Sequence, residues 1–187
     1  MDRRRALKNV AILLGTAISS GTIATLFEGF AIPENEKNRV SFSASEEETL
    51  AEFADIILPT TKSSPGAKAA GVGTFIPMMV RDCYPADVQL LFASGLKEME
   101  EKCMTTYNKN FVSLSIEERQ KILVDLRTET IAAKKTASFF TIARDLTLLG
   151  YFSSEIGCTQ AREYLMIPGR YDGSAEYKPG QKAWATN

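Results

Sequence analysis

The stretch PADVQLLFASGLKEMEEKC, from Pro85 to Cys103, decides the fold. Its apolar residues recur at spacings of three and four, which is the period of one face of an α-helix. They are Val88, Leu91, Phe92, Gly95, Leu96, Met99 and Cys103. We predict a long amphipathic helix that opens at Pro85 and turns this face to the core. Cys103 lies on that face, so we expect a buried and inert thiol.

Helix start signals occur on both sides of this stretch. Ser45 and Glu48 have the spacing of a capping box and precede the helical pattern TLAEFADIILP, which Pro59 ends. Ser115 and Glu118 form a second box, and the helix after it is predicted to reach about Ala133. The sequence therefore predicts one helix before the central stretch and one after it.

Two more helices complete the pattern. A short one is predicted over Thr74–Tyr84, with Pro77 in its first turn, where proline is tolerated. Thr136–Leu149 is apolar nearly all round, as in a helix buried on most sides. No segment shows a strand period, so we predict an all-α fold of about six helices.

The predicted helical domain covers residues 45–167. Within it, Pro59–Gly73 is rich in proline, glycine, serine and threonine and is interpreted as a surface loop. Residues 168–187 carry several glycines and prolines beside arginine and aromatic residues, and they are predicted to form an irregular tail. Such a tail either lies back on its own domain or contacts a partner, because tryptophan, tyrosine and arginine are enriched at interfaces.

Composition excludes several classes of function. The chain has 187 residues, a net charge of −1 and no histidine. The charge gives no general basic field that would hold nucleic acid. The absence of histidine removes the commonest general base and the histidine-based catalytic triads. None of the three cysteines forms a CxxC pair, so a zinc site is not expected.

The N-terminus has the pattern of an export signal. A basic start precedes the uncharged stretch Asn9–Phe27, and small residues lead to a cleavage position after Ala31. The basic start resembles the twin-arginine motif. The matching residues are Arg3, Arg4, Leu7 and Lys8. We assign residues 1–31 to the signal and residues 32–44 to a linker. The alternative is an uncleaved membrane anchor, since the uncharged stretch is just long enough to span a bilayer.

The segment LTLLGYFSSEIGCTQAREY, from Leu146 to Tyr164, raises a further question. A glycine, two aromatic residues and a carboxylate occur together in it. They suit an active-site elbow, a docking surface or an ordinary corner between helices. We expect Gly150 to end the apolar helix. Tyr151 and Phe152 then either turn inward as core or lie against a partner.

Several stretches together resemble one family, gluconate 2-dehydrogenase subunit 3. They are MDRRRALK at the N-terminus, ILPTTKSSPGAKAAGVGTFI, DCYP, LTLLGYFSSEIGCTQAREY, IPGRYDG and GQKAWA. The resemblance covers nearly the whole chain, and LLGYFSSEIG and PGRYDG are its most specific parts. The first stretch departs from the twin-arginine pattern at Asp2 and Ala6.

The resemblance implies a role without catalysis on this chain. In that family a large FAD-containing subunit of the glucose–methanol–choline (GMC) type oxidises a sugar or sugar acid. The small subunit binds it, assists its folding and carries the twin-arginine signal to the periplasm, and a multihaem cytochrome c often takes the electrons. This chain lacks both the CxxCH haem motif and the GxGxxG flavin motif, so we expect no cofactor on it.

The candidate partner interface follows from the aromatic corner and the tail. Its predicted residues are Tyr151, Phe152, Glu155, Arg170, Tyr171, Asp172 and Trp184. A less favoured reading is a stand-alone enzyme that uses the carboxylates Asp82, Asp145, Glu155 or Asp172. A third is a membrane-anchored helical binding module. Cys83 and Cys158 are the candidates for disulfide bonding, because an oxidising compartment permits it. We predict that Cys158 pairs covalently, within the chain or with a partner.

Overall fold

The computed structural model of the protein describes residues 40–134, 137–167, 169, 173–174 and 176–185. The predicted signal residues Arg3, Arg4, Leu7 and Lys8 lie outside the described residues. The same holds for Arg170, Tyr171 and Asp172 of the predicted interface.

The described part of the chain is helical. Its α-helices in chain order are α1 Ala44–Ile57, α2 Val72–Cys83, α3 Ala86–Tyr107, α4 Ile116–Ala132 and α5 Phe139–Ser153. A 3-10 turn at Phe111–Ser113 precedes α4, and a π-helical turn at Gly157–Ala161 follows α5. These residues contain no strand, only an isolated bridge between Glu163 and Trp184. The all-α prediction is confirmed.

The N-terminal caps show why α1 and α4 begin where they do. Ser115 and Glu118 form the predicted box, in which the Ser115 N–H donates to the Glu118 carboxylate at 2.8 Å. The predicted box at Ser45 is wrong, because Ser43 caps α1 and its N–H donates to Glu46 at 2.8 Å. The earlier start sets Phe42 edge-on against Phe92, with 5.8 Å between ring centroids. The sequence contains two overlapping Ser-x-x-Glu patterns, and the helix uses the one that begins at Ser43, next to the contact between Phe42 and Phe92.

Helix α2 also begins before its predicted start. The left-handed residue Gly71, with φ of 74°, caps it, and the helix starts at Val72 rather than Thr74. Pro77 therefore lies in the second turn, where its missing N–H removes a backbone hydrogen bond. The Pro77 ring is buried with Ile76 and Val80 on the core side of α2. Apolar packing of the ring therefore offsets part of the lost hydrogen bond.

Helix α5 packs against each of the other four α-helices. The Phe139 ring near its start lies 5.0 Å from Phe92 and 5.6 Å from Phe53, measured between centroids. A Cβ on Gly95 would come within 2.3 Å of the Phe139 Cβ, so only glycine lets α3 approach this closely. Cys103 is fully buried on the predicted face of α3, and burial raises the pKa of its thiol to about 11. The prediction of a buried thiol there is confirmed.

The side chain of Glu52 joins elements that are distant in sequence. The half-buried carboxylate of Glu52 on α1 accepts hydrogen bonds from Lys68 in the 59–71 loop and from Arg119 on α4. Arg119 also donates to the Phe111 carbonyl at 3.0 Å, and so holds the 3-10 turn.

Gln89 on α3 ties together the α2–α3 corner. Its amide donates to the carbonyl oxygens of Arg81, at 3.0 Å, and Tyr84, at 2.8 Å. Its own carbonyl oxygen accepts the Val40 N–H at 3.1 Å. The backbone at Val40, which precedes α1, is therefore anchored on α3.

Candidate docking surface

The aromatic corner begins inside a helix rather than after one. The prediction that Gly150 ends α5 is wrong, because the helix continues to Ser153. A Cβ at Gly150 would lie 2.5 Å from Cδ1 of Phe75 on α2. The glycine is there because α2 and α5 approach closely, and the helix has no reason to stop at it.

Tyr151 points into its own domain. The side chain is 4% exposed, and its hydroxyl donates to the Pro65 carbonyl at 2.7 Å. Of the two alternatives stated for this ring, the structure shows the inward one. The contact also fixes the 59–71 loop, whose Gly66 and Ala67 are buried. This loop is more than a plain surface connection.

Phe152 stays half-buried at the surface. Its ring lies edge-on to Tyr151, with centroids 5.1 Å apart, and the guanidinium of Arg162 sits 4.6 Å from its centroid. Glu155 follows and is exposed. The corner thus offers a partly exposed aromatic ring with a cation above it and a carboxylate nearby.

The end of the chain returns to this corner. The Glu163 N–H donates to the Ala183 carbonyl, and the Ala185 N–H donates to the Glu163 carbonyl, both at 2.8 Å. Lys182 donates to the Gln160 carbonyl from the same side. Residues 182–185 therefore lie back on the domain. Trp184, which is one of them, lies beside the end of the π-helical turn and remains about half exposed.

Between the corner and the tail lies an exposed apolar run, Tyr164–Ile167. Met166 is 78% and Ile167 77% exposed, and Tyr164 and Leu165 are about half exposed. Sequence reasoning missed Leu165, Met166 and Ile167. The available signal was four apolar residues in a row directly before Pro168, in a segment too short and too irregular to be a core helix.

Of the carboxylates in the alternative site, Asp82, Asp145 and Glu155 belong to the described residues, whereas Asp172 lies outside them. Asp82 and Asp145 each accept hydrogen bonds from the preceding arginine, Arg81 or Arg144. The clefts described for this domain are lined by other residues. Within the described ranges, no group of three or more histidine, cysteine, aspartate or glutamate residues is placed to hold a metal ion.

The cysteines are free thiols in this structure. Cys83 is exposed at the end of α2. The Cys158 Sγ lies 3.2 Å from the Phe152 carbonyl oxygen, at the aromatic corner. Covalent pairing of Cys83 or Cys158 stays a prediction. The helices among the described residues include none that is both long and apolar enough to cross a membrane.

The helices and the apolar run coincide with a known family. Residues 44–169 match the family gluconate 2-dehydrogenase subunit 3, a range that begins with α1 and ends just after the apolar run. The chain belongs to this family, whose name indicates a subunit of a gluconate 2-dehydrogenase complex. Searches among curated proteins and among solved structures found no match.

Proposed function

We propose that this chain is the non-catalytic small subunit of a periplasmic flavin-dependent sugar or sugar-acid dehydrogenase. It binds a large FAD-containing subunit of the GMC type, assists its folding and carries it through twin-arginine export. A multihaem cytochrome c subunit accepts the electrons. Family membership supports association with the other subunits of such a complex.

The exposed apolar run is the observation that carries the docking role. Soluble monomers rarely keep several large apolar side chains together in water, and contiguous exposed patches mark interaction sites. The proposed docking surface combines the run Tyr164–Ile167 with Phe152, Glu155 and Trp184. Arg170, Tyr171 and Asp172 extend it in the proposal on sequence grounds alone.

The chemistry of the residues favours a partner for catalysis. The chain has no histidine, so it lacks a histidine base for proton transfer. The carboxylates Asp82 and Asp145 are held in ion pairs with their neighbouring arginines. We place the flavin and the oxidation chemistry on the large subunit.

Co-purification tests this function directly. The large subunit is co-expressed with the full-length small subunit or with a chain lacking residues 168–187, and both complexes are captured and scanned for flavin absorbance. We expect a flavin-bearing partner with the full chain and its loss after truncation. Trp184→Ala and Tyr171→Ala should each weaken binding by about 1–3 kcal/mol if they are central anchors.

Two results contradict the proposal in different ways. Full binding by the truncated chain excludes the tail as the docking element. Flavin bound to the purified small subunit alone, or sugar oxidation by it, excludes the non-catalytic role. Thermal unfolding of the truncated chain checks that the helical domain remains folded. If the truncated chain does not fold, the tail belongs to the core of the domain.

A further inference from the structure

A second surface, formed by residues other than those of the docking surface, is an apolar groove whose lining also contains arginines. A groove of about 540 Å³ lies between the end of α1, the middle of α4 and the first half of α5. Its apolar lining includes Ile57, Leu123 and Phe140, which come from these three helices in turn. A concave apolar groove between helices is the shape that receives an amphipathic helix.

One face of α4 borders the groove and adds exposed apolar side chains beside it. Gln120, Val124, Arg127 and Ile131 follow one another at spacings of four, three and four, so they share one helical face. Val124 is 59% and Ile131 64% exposed. Two large apolar side chains therefore remain in water along the border of the groove.

The charge of the groove has one sign. Its lining contains two charged residues, Arg127 on α4 and Arg144 on α5, and no carboxylate. Asp145 pairs with Arg144 at 2.7 Å but is not part of the lining. Among the described residues no carboxylate forms an ion pair with Arg127. An occupant that supplies carboxylates would therefore complement this groove.

We propose that this groove binds an amphipathic helical segment of a partner protein, with carboxylates that flank its apolar face. Apolar side chains at helical spacing would fill the space above Leu123 and Phe140, and the carboxylates would pair with Arg127 and Arg144. A second copy of this chain fits less well, because a two-fold contact through this groove would bring like-charged arginines together. The proposal stands on the groove alone and does not require the dehydrogenase function.

Two synthetic helical peptides test the proposal on the full chain. They share one apolar pattern, with leucines at helical spacing, and carry either glutamates or lysines along both flanks. Fluorescence anisotropy should show binding of the acidic peptide and much weaker binding of the basic one. The double variant Arg127→Glu with Arg144→Glu should weaken the acidic peptide by about tenfold or more, since like charges then face each other.

Arg81→Glu is a matched control. Arg81 pairs with the following aspartate through the same Nε to Oδ1 contact of 2.9 Å that Arg144 makes, but it lies on α2, away from the groove. It should leave peptide binding unchanged. Val124→Ser adds a test of the apolar contact at an exposed position without a change of charge, and we expect it to weaken binding of the acidic peptide as well. Circular dichroism melting of every variant confirms that the domain is folded.

The proposal is overturned if both peptides bind equally well or if the arginine reversal has no effect. It is also overturned if the acidic peptide does not bind, or if sedimentation shows that two copies of the chain occupy this face. Because the assay does not contain the large subunit, its outcome is independent of the co-purification test.

Discussion

Glu52 shows how one carboxylate connects three separate elements. Burial alone would raise the pKa of Glu52. The hydrogen bond from Lys68 and the positive charges of Arg119 and Lys68 outweigh burial, and they hold the pKa of Glu52 below its ordinary value. Lys68 responds in the opposite direction, and its hydrogen bond to Glu52 raises its pKa. The charged form of Glu52 is therefore favoured by the folded state.

Stability should consequently depend on Glu52 and on pH. A carboxylate with a lowered pKa in the folded state contributes stability above its unfolded pKa, and the contribution is lost as the pH falls through the folded value. We expect Glu52→Gln to cost about 1.5–3 kcal/mol near neutral pH, typical of hydrogen bonds to charged groups. The difference from the unsubstituted protein should shrink in acid.

Denaturant unfolding over a pH series measures this effect. Glu129→Gln is the control, because Glu129 also pairs with a lysine, Lys102, but at an exposed site. It should change stability by less than about 1 kcal/mol. A Glu52→Gln variant with the same loss at every pH would contradict the assignment.

Gly150 makes a second prediction at the residue scale. Alanine normally stabilises a helix by about 1 kcal/mol over glycine. Here its Cβ would meet the Phe75 ring, and overpacking of this kind costs about 1–3 kcal/mol. We expect Gly150→Ala to lower the melting temperature and Phe75→Leu in the same chain to restore part of it. Ser153→Ala, at the exposed end of α5, serves as the neutral comparison, and no loss in Gly150→Ala would refute the close contact.

At the scale of elements, the sequence predicted which segments are helical better than where they begin. Apart from Leu91, which is exposed, the apolar face of α3 could be predicted, because a spacing of three and four residues recurs over about four turns and depends on no neighbouring element. The start of α1 could not, since Ser43 and Ser45 both precede a glutamate by three residues. Gly150 was misinterpreted for a similar reason. Whether a glycine ends a helix or admits Phe75 depends on α2, which is distant in sequence.

The candidate site was predicted only in part. The sequence indicated aromatic residues at the corner, yet Tyr151 turned inward because the Pro65 carbonyl accepts its hydroxyl. The run Tyr164–Ile167 was passed over because apolar residues outside a periodic pattern give no local sign of exposure. Their exposure follows from the irregular backbone after Arg162, a property of the folded chain.

The apolar run should contribute to association and little to folding. Met166 and Ile167 are mostly in solvent, so the double change Met166→Ser with Ile167→Ser should shift stability by no more than about 0.5 kcal/mol per site. Binding of the large subunit should fall markedly, because the apolar contact is lost. Met104→Ser, at an exposed position near the end of α3, is the matched control. Quantitative capture beside thermal unfolding separates the two effects, and unchanged capture would count against the docking surface.

At the scale of the whole molecule, the proposed export role links two ends of the chain. The N–H of Val40, four residues before α1, donates to Gln89. The proposed signal precedes this residue in sequence, and the proposed docking surface lies on residues near the C-terminus. In this proposal one chain combines an N-terminal export signal with a folded domain that binds the large subunit.

Export of the large subunit is predicted to depend on Arg3 and Arg4. Replacing both with lysine should abolish periplasmic dehydrogenase activity and leave the two chains together in the cytoplasm, because the signal chemistry requires the arginine pair. The triple replacement with Arg5 removes a substitute arginine. Cell fractionation with immunodetection of both subunits gives the result, and unchanged export of both chains would exclude this route. The variants Arg81→Lys and Arg144→Lys control for loss of arginine elsewhere.

The bridge between Glu163 and Trp184 has a consequence for proteolysis. Because hydrogen bonds join residue 163 to residues 183 and 185, a cut between Tyr164 and Ile167 would leave the terminal fragment held mainly by this bridge. Two backbone hydrogen bonds contribute about 1–3 kcal/mol together, which is less than the association of a free peptide costs. A nicked chain should therefore lose its terminal fragment under native conditions. The run Tyr164–Ile167 is exposed, and exposed segments are preferred cleavage sites, so the rate of nicking in this run reports when a partner covers it.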